Sequence, residues 1–164
     1  MSYQYVKKTS KFDDGRAFGF ERVSKLNDLE RAALAEVGVV LPSEQVSFFN
    51  RATKDGVVYY CKAYTRPECF DNTCVTLADN TFAVIEKFVR IPGSTELHMF
   101  IKPIRIADEE PIAPHVFSCA FDLFAPLKVT TMSKIKRLCA RVTVKASNYE
   151  RNFITILPNV HERD

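Results

Sequence analysis

From Glu44 onward, apolar and polar residues alternate with a period of two in short runs, and this pattern constrains the fold more than any other feature of the sequence. Successive side chains of a β-strand point to opposite faces, so such alternation is typical of half-buried strands. The runs are VSFFNRA, GVVYYCKAY, CVTL, TFAVIEKFVRI, ELHMFIKPIRI, HVFSCAF, KRLCARVTV and NFITILP, each bounded by Gly, Pro, Asn or Asp. The pattern predicts about seven strands.

The residues between the runs predict how these strands are connected. Lys54-Asp55-Gly56 and Asp79-Asn80 suit tight turns, and Pro92-Gly93-Ser94 suits a hairpin loop. Pro103 cannot donate to a strand ladder, so its strand is expected to lie at an edge or to be bulged there. Many short strands joined by hairpin-type links predict an antiparallel barrel or sandwich.

One segment ahead of the strands has a helical period instead. Its apolar residues recur at steps of three and four, Gly38 is placed to take the left-handed conformation that ends a helix, and Pro42 blocks continuation. The pattern predicts one amphipathic helix over about 21 to 37 that packs its apolar stripe on the sheet. The stripe contains Phe20, Val23, Leu26, Leu29, Ala33, Leu34 and Val37.

The length of 164 residues accommodates one domain with a substantial core. Residues 1–19 show no periodicity and are expected to form a flexible N-terminal arm. Residues 20–164 are expected to form a single domain, in which the helix packs on a small, partly open antiparallel β-barrel. The predicted fold class is therefore mainly β, of the α+β type.

The charge and cysteine content predict an intracellular protein. The formal net charge is +3, which permits weak attraction to phosphates without demanding it. The first residues, MSYQYVKKTSKFDDGR, lack the apolar core of a signal peptide, and no apolar run approaches the roughly 18 residues that span a bilayer. The odd number of five cysteines favours free thiols in a reducing compartment, nuclear or cytoplasmic, with no membrane partner.

The cysteine-rich stretch CKAYTRPECFDNTC, residues 61–74, has two interpretations. Cys69 and Cys74 could bind zinc together with His115 and Cys119, although structural zinc sites more often present tighter cysteine pairs. The favoured interpretation treats the thiols as small apolar core side chains, so that no metal and no cofactor is predicted. The cysteines placed in strands by the alternation are Cys61, Cys74, Cys119 and Cys139.

Catalytic constellations are not evident in the sequence. His115 and Cys119 are four residues apart on one predicted strand, roughly 13 Å, which is too far for a hydrogen bond. The paired carboxylates, Asp13-Asp14 and Glu109-Glu110, fall in loops without an apolar environment. No glycine-rich phosphate loop occurs. The chain is therefore predicted not to be an enzyme and to have no small-molecule substrate.

Surface recognition is the remaining class of function. Neighbouring aromatics such as Phe48-Phe49 and Tyr59-Tyr60 would leave one ring of each pair pointing away from the core, unless barrel and helix bury both faces. A basic run near MSKIKRLCAR could contact phosphate, or could be a solvated strand edge. The candidate binding residues are Tyr59, Tyr64, Phe70, Lys134, Lys136, Arg137 and Arg141.

The strand region resembles two kinds of known domain over residues 46–162. The stretches FFNRATKDGVVYYCKAYTRPECFDNTCVTLADNTFAVIEKFVRI and MSKIKRLCARVTVKASNYERNFITILPNVHE resemble the C-terminal β-domain of CACTA/EnSpm-type transposon-derived proteins. The strand order also resembles that of bromo-adjacent-homology (BAH) modules. The positions that carry the first resemblance are Ile135, Cys139, Phe153, Leu157, Pro158, Asn159 and Glu162, and those of the second are Val129, Ile135, Cys139 and Val142.

These resemblances imply a BAH/SH3-like barrel and a non-catalytic interaction module that binds a protein partner, in a transposon-derived or chromatin-associated setting. No residue here matches the aromatic cage of histone-reading BAH modules or the acidic residues of a transposase core. The alternative prediction is a nucleic-acid-binding β-barrel that uses the basic strand and exposed aromatic rings.

Overall fold

The computed structural model describes residues 9–19, 21–41, 45–64, 72–107, 113–120 and 125–157. These residues form thirteen β-strands, one α-helix and a short 3-10 helix at Met132–Lys134. The strands are β1 (Thr9–Phe12), β2 (Gly15–Phe18), β3 (Arg22–Lys25), β4 (Gln45–Phe49), β5 (Arg51–Lys54), β6 (Val57–Tyr60), β7 (Cys74–Leu77), β8 (Phe82–Arg90), β9 (Leu97–Ile106), β10 (Val116–Ala120), β11 (Lys128–Thr131), β12 (Ile135–Ala146) and β13 (Tyr149–Ile156), and the helix is α1 (Asp28–Glu36).

Six of these strands close into an antiparallel barrel. The pairings run β7–β8–β9–β10–β13–β12 and return from β12 to β7. The joint between β9 and β10 is short, with two residue pairs, Cys119 with Ile106 and Ala120 with Arg105. β11 extends the barrel wall along β9, and β4 and β3 extend it from β8. The predicted fold class, mainly β with a single α-helix, is confirmed.

A second antiparallel sheet covers one side of the barrel. Its strand order is β1-β2-β5-β6. Strand β8 alternates between the two layers: Phe82 and Val84 face the barrel interior, whereas Ala83 and Ile85 face the second sheet. The cluster between the layers includes Phe12, Ala17, Phe49, Ala52, Tyr59, Val75, Met99 and Met132.

The prediction of a flexible arm over residues 1–19 is wrong for residues 9–18, which form the hairpin of β1 and β2. Strand β2 pairs with β5, and Ala17 is fully buried. The turn is held on the barrel by Asp14, whose carboxylate accepts hydrogen bonds from the backbone N–H groups of Leu97 and Ser133, each at 3.0 Å. The hairpin is a short local unit whose partners lie far along the chain, so periodicity alone does not reveal it.

The prediction of one helix over about 21 to 37 is correct in its second half only. Residues Arg22–Lys25 form strand β3 beside β4. The helix begins after Asn27, whose side chain accepts a hydrogen bond from the Glu30 backbone N–H while Glu30 accepts from the Asn27 backbone N–H. This reciprocal capping box fixes the start of α1. Gly38 ends the helix in the predicted left-handed conformation, with φ of 73°.

Helix α1 covers the outer face of β4, β8 and β9. Leu26, Ala33 and Leu34 pack there with Phe48 and Phe100. Val23 and Leu29, which the predicted stripe would bury, are exposed. Phe48 faces the helix, whereas its neighbour Phe49 faces the second sheet, so both faces of β4 are buried. The alternative in which barrel and helix bury an aromatic pair is therefore confirmed for Phe48-Phe49.

Seven of the eight predicted runs each contain one strand, whereas VSFFNRA spans β4 and β5, which belong to different sheets, and β11 was not predicted. Asp55, Gly56 and Asn80 adopt positive φ in the expected tight turns. Pro103 pairs with Ala83 of β8 on one edge of β9. On the other edge, β11 pairs with β9 before Pro103 and β10 pairs with β9 after it, so the missing N–H of Pro103 interrupts no described ladder. Within the described ranges, no helix is both long enough and apolar enough to cross a bilayer. Pro42 lies outside the described residues.

Candidate ligand-binding site at the barrel mouth

The closed barrel has a floor to which each of its six strands contributes one apolar or thiol side chain. Because side chains alternate between faces along a strand, one residue per strand meets at each level of the interior. At this level three of the six side chains are fully enclosed, and the other three are less than 8% exposed. The six residues are Cys74, Val84, Ile104, Cys119, Cys139 and Ile154.

Two residues further along each strand, a second set of six side chains forms the open mouth of the barrel, the structure's candidate site. These are Thr76, Phe82, Ile106, Phe117, Arg137 and Ile156. Asn80, His115 and Lys136 complete the rim. The cavity that they enclose has a volume of about 600 Å³. Pockets of roughly 300–1,000 Å³ are typical of sites for small ligands.

The mouth combines an apolar wall with a cationic rim. The Phe82 and Phe117 rings lie with centroids 5.3 Å apart and planes inclined by 53°. Phe82 is buried, whereas Phe117 is half-buried and partly open to solvent. No Asp or Glu is among the described residues that line the cavity. Such a surface suits an anion that carries a flat apolar group.

The two turns that carry the rim residues Asn80 and His115 are held by hydrogen bonds. Asn80 and His115 both have positive φ, at 66° and 68°, which is uncommon for residues other than glycine. The Lys136 ammonium donates a 2.8 Å hydrogen bond to the Asn80 side-chain oxygen, and the Ile156 backbone N–H donates to the His115 carbonyl at 3.0 Å. These bonds fix both turns against strands β12 and β13.

The four described cysteines are buried, as the core interpretation predicts, and all are free thiols. Cys74 and Cys139 are paired residues of β7 and β12. A hydrogen bond from the Cys74 side chain lowers the pKa of Cys139, and burial opposes that shift. Burial raises the pKa values of the Cys61 and Cys119 thiols.

The zinc alternative involves Cys69, which lies outside the described residues. Across the described ranges, no group of three or more His, Cys, Asp or Glu side chains could hold a metal ion.

The predicted basic run is divided between the mouth and the strand that leads away from it. Lys136 and Arg137 lie at the mouth. Arg141 lies two residues beyond the floor residue Cys139, on the same inward face of β12. Lys134 lies at the end of the 3-10 helix and is exposed. Two of the four predicted basic residues therefore belong to one site.

The predicted aromatic residues do not belong to that site. The prediction of Tyr59 as a binding residue is wrong as a surface contact, because Tyr59 is 4% exposed and packs between the two sheets. Burial raises its pKa to about 12. Tyr64 stacks on Tyr60, with ring centroids 5.2 Å apart, and lies 5.2 Å from the Arg51 guanidinium carbon. Phe70 lies outside the described residues.

Strands β12 and β13 continue past the barrel as a two-stranded ribbon. Their pairing extends to Ala146 with Tyr149, whereas the described pairing of β12 with β7 ends at Cys139. The inward face continues with Arg141, Thr143 and Lys145, and the Thr143 hydroxyl donates to the Asn152 side-chain oxygen at 2.8 Å. The opposite face exposes Val142, Val144 and Tyr149 by 47%, 44% and 58%, together with Arg151, which pairs with Val144 and lies over the Tyr149 ring.

Sequence reasoning missed most of the mouth. Thr76, Phe82, Ile106, Phe117 and Ile156 stand in predicted strands, but their meeting depends on which strands pair and on closure of the ring. The one local signal was alternation, which places each of them on the same face as a floor residue. Asn80 carried no signal beyond its position in a predicted turn, and His115 was considered only on a predicted strand, as a zinc ligand or a partner of Cys119.

Comparison with protein-family models, with curated proteins and with solved structures finds no match for this chain.

Proposed function

We propose that the protein is a nucleic-acid-binding β-barrel that holds phosphates through the cations of β12. The observation that carries the proposal is the row of cations on this strand. Arg137, Arg141 and Lys145 recur at every fourth residue and span roughly 27 Å, with Arg137 at the mouth and the other two beyond the buried floor residue Cys139. Lys136 adds a fourth cation at the mouth.

The two cations at the mouth, Lys136 and Arg137, have no carboxylate among the described residues that line the cavity. Glu150 is the residue paired with Lys145 across the ribbon, and no salt bridge joins them. Lys136 is bonded to a neutral amide, so its charge stays available to an anion. A clustered basic strand of this kind is the electrostatic footprint of phosphate binding.

The test is a comparison of two variants that have the same net charge. The first is Lys136→Gln/Arg137→Gln/Lys145→Gln, which neutralises three of the four β12 cations. The second is a control in which three exposed cations elsewhere are neutralised: Lys11→Gln, Arg22→Gln and Lys25→Gln. Each changes the formal charge of the chain from +3 to zero. Binding to a labelled single-stranded oligonucleotide is measured by fluorescence anisotropy at low salt.

The β12 variant is expected to bind about tenfold or more weakly than the wild type, and the control variant about as well as the wild type. Equal losses in both variants would mean that only overall charge matters, and the proposal of a binding strand would fail. Thermal unfolding of both variants checks that the barrel remains intact.

Binding of a protein partner is the second candidate function, favoured by the exposed apolar side chains of the ribbon. Val142, Val144 and Tyr149 expose apolar surface opposite the cationic face, and described strands pair with β12 only up to Cys139 on its outer edge. An extended apolar segment of a partner could add to that edge and cover this face. Val142→Lys/Val144→Lys should abolish capture of partners from nuclease-treated extract, and unchanged capture would contradict this candidate.

A further inference from the structure

The barrel mouth has the chemistry of a site for one flat aromatic group attached to an anion. Phe117 presents a half-buried ring at the opening, and Phe82 closes the wall behind it. Ile106 and Ile156 continue the apolar surface, and Arg137 stands at the same level of the barrel. Stacking of a planar ring on Phe117 would therefore place an attached phosphate beside a guanidinium.

The polar groups of the rim suit the edge of a nucleobase. The Asn80 amide and the His115 imidazole stand on turns held by hydrogen bonds to β12 and β13, and they can donate or accept. Bases that are free of a duplex are recognised by aromatic stacking together with hydrogen bonds to their edges. A paired and stacked base could not enter a cavity at the end of a barrel.

Arg137 belongs both to the mouth and to the cationic row of β12. Arg141 and Lys145 lie beyond the buried floor residue Cys139, so a phosphate attached to a base in the mouth would lie beside Arg137 and Lys136. On the basis of the proposed function, we infer that the barrel mouth binds one unstacked base of a single-stranded nucleic acid. The duplex form of the same sequence would be bound only through its phosphates.

The test uses the full chain and three labelled probes of equal length: a single strand, the same sequence as a duplex, and a single strand with an abasic position at every nucleotide. Phe117→Leu removes the aromatic ring but keeps an apolar side chain of similar size. Tyr149→Leu is the matched control, because Tyr149 is an exposed aromatic at the far end of the ribbon. Affinities are measured by anisotropy at one salt concentration.

Wild type is expected to bind the single strand between about 5-fold and 150-fold more tightly than the abasic strand, the range measured for stacking of one base. Phe117→Leu should lose most of this preference while binding the abasic strand as the wild type does. Tyr149→Leu should retain the preference. Proton–nitrogen correlation spectra should show shifts at Thr76 and Phe82 with a nucleoside monophosphate and not with ribose 5-phosphate.

Two results would overturn the inference, and they are distinguishable. If the single strand and the abasic strand bind equally, and the β12 triple variant weakens both, the mouth takes no base while the proposed function stands. If no probe binds the wild type, the proposed function fails and the inference fails with it.

Discussion

Gly15 is packed so closely that a single methyl group should test whether the N-terminal hairpin docks as described. A Cβ atom at this position would lie 2.3 Å from the carbonyl oxygen of Thr53 and 2.1 Å from the terminal methyl of Met132. Ordinary contacts of a Cβ atom lie at 3.4 Å or more. The Met132 methyl is the end of a flexible side chain and can turn aside, but the Thr53 oxygen belongs to the β2–β5 ladder.

Gly15→Ala therefore requires a backbone shift of about 1.1 Å between two paired strands. Overpacking of this kind costs about 1–3 kcal/mol, and we expect about 3 kcal/mol because the obstructing atom is backbone and Met132 is fully buried. The free energy of unfolding is measured by urea denaturation with circular dichroism. A domain of this size is stable by about 5–15 kcal/mol, so the variant should still fold.

Gly56→Ala is the matched control. Gly56 also follows a strand end, and a Cβ there would meet nothing within 4 Å. Its φ of 77° makes the substitution cost about 1 kcal/mol through backbone conformation alone. If Gly15→Ala cost no more than Gly56→Ala, the hairpin would not be docked against β5, and the reasoning would be refuted.

Three further predictions concern stability. Burial raises the pKa of Tyr59 to about 12 from an ordinary value of 10, so between these pH values the unfolded state loses the phenol proton while the folded state keeps it. The free energy of unfolding should therefore fall by up to about 3 kcal/mol between pH 10 and 12. Urea denaturation of Tyr59→Phe should lack this fall, and an equal fall in that variant would contradict the assignment. Asn27→Ala should cost about 1 kcal/mol by removing the helix cap, with Asn27→Ser recovering most of it in the same assay. Lys87→Met should cost about 2 kcal/mol because it leaves the buried Glu30 carboxylate without its 3.0 Å ion pair; adding Glu30→Gln should restore part of the loss, and a purely additive double variant would argue against the pair.

The strands could be predicted from sequence because alternation is a local property. CVTL coincides with β7, and the residues around Asp55 and Asn80 turn as their types suggest. The start of α1 was predictable in principle, since Asn27 and Glu30 have the spacing of a capping box. The three- and four-residue spacing of apolar residues continues back to Val23, and it predicts a helix start that is too early.

Closure of the barrel could not be predicted, because it depends on pairs far apart in the chain. Strand β12 joins β7 through Cys139 and Cys74, and β8 meets β9 and β7 on opposite edges. Only this closure brings Phe82 beside Phe117. The burial of Tyr59 had the same origin, since Tyr59 lies on β6 of the second sheet and is buried where that sheet packs on the barrel.

The resemblances to transposon-derived β-domains and to BAH modules stay predictions, as do the chromatin setting, the nuclear or cytoplasmic location and the absence of catalysis. The described fold is compatible with a binding module, and the cations of β12 are suited to contact phosphate groups. Each function proposed for it is tied to a different face of the β12–β13 ribbon. Variants on the two faces can therefore be tested independently.

The most direct measurement of the central claim is the salt dependence of binding to a single-stranded oligonucleotide. Four phosphate contacts, from Lys136, Arg137, Arg141 and Lys145, predict a slope of about −3 in a plot of log affinity against log salt concentration, and the β12 triple variant should reduce its magnitude by about 2. A slope near zero, or one that the triple variant leaves unchanged, would contradict phosphate binding by this strand.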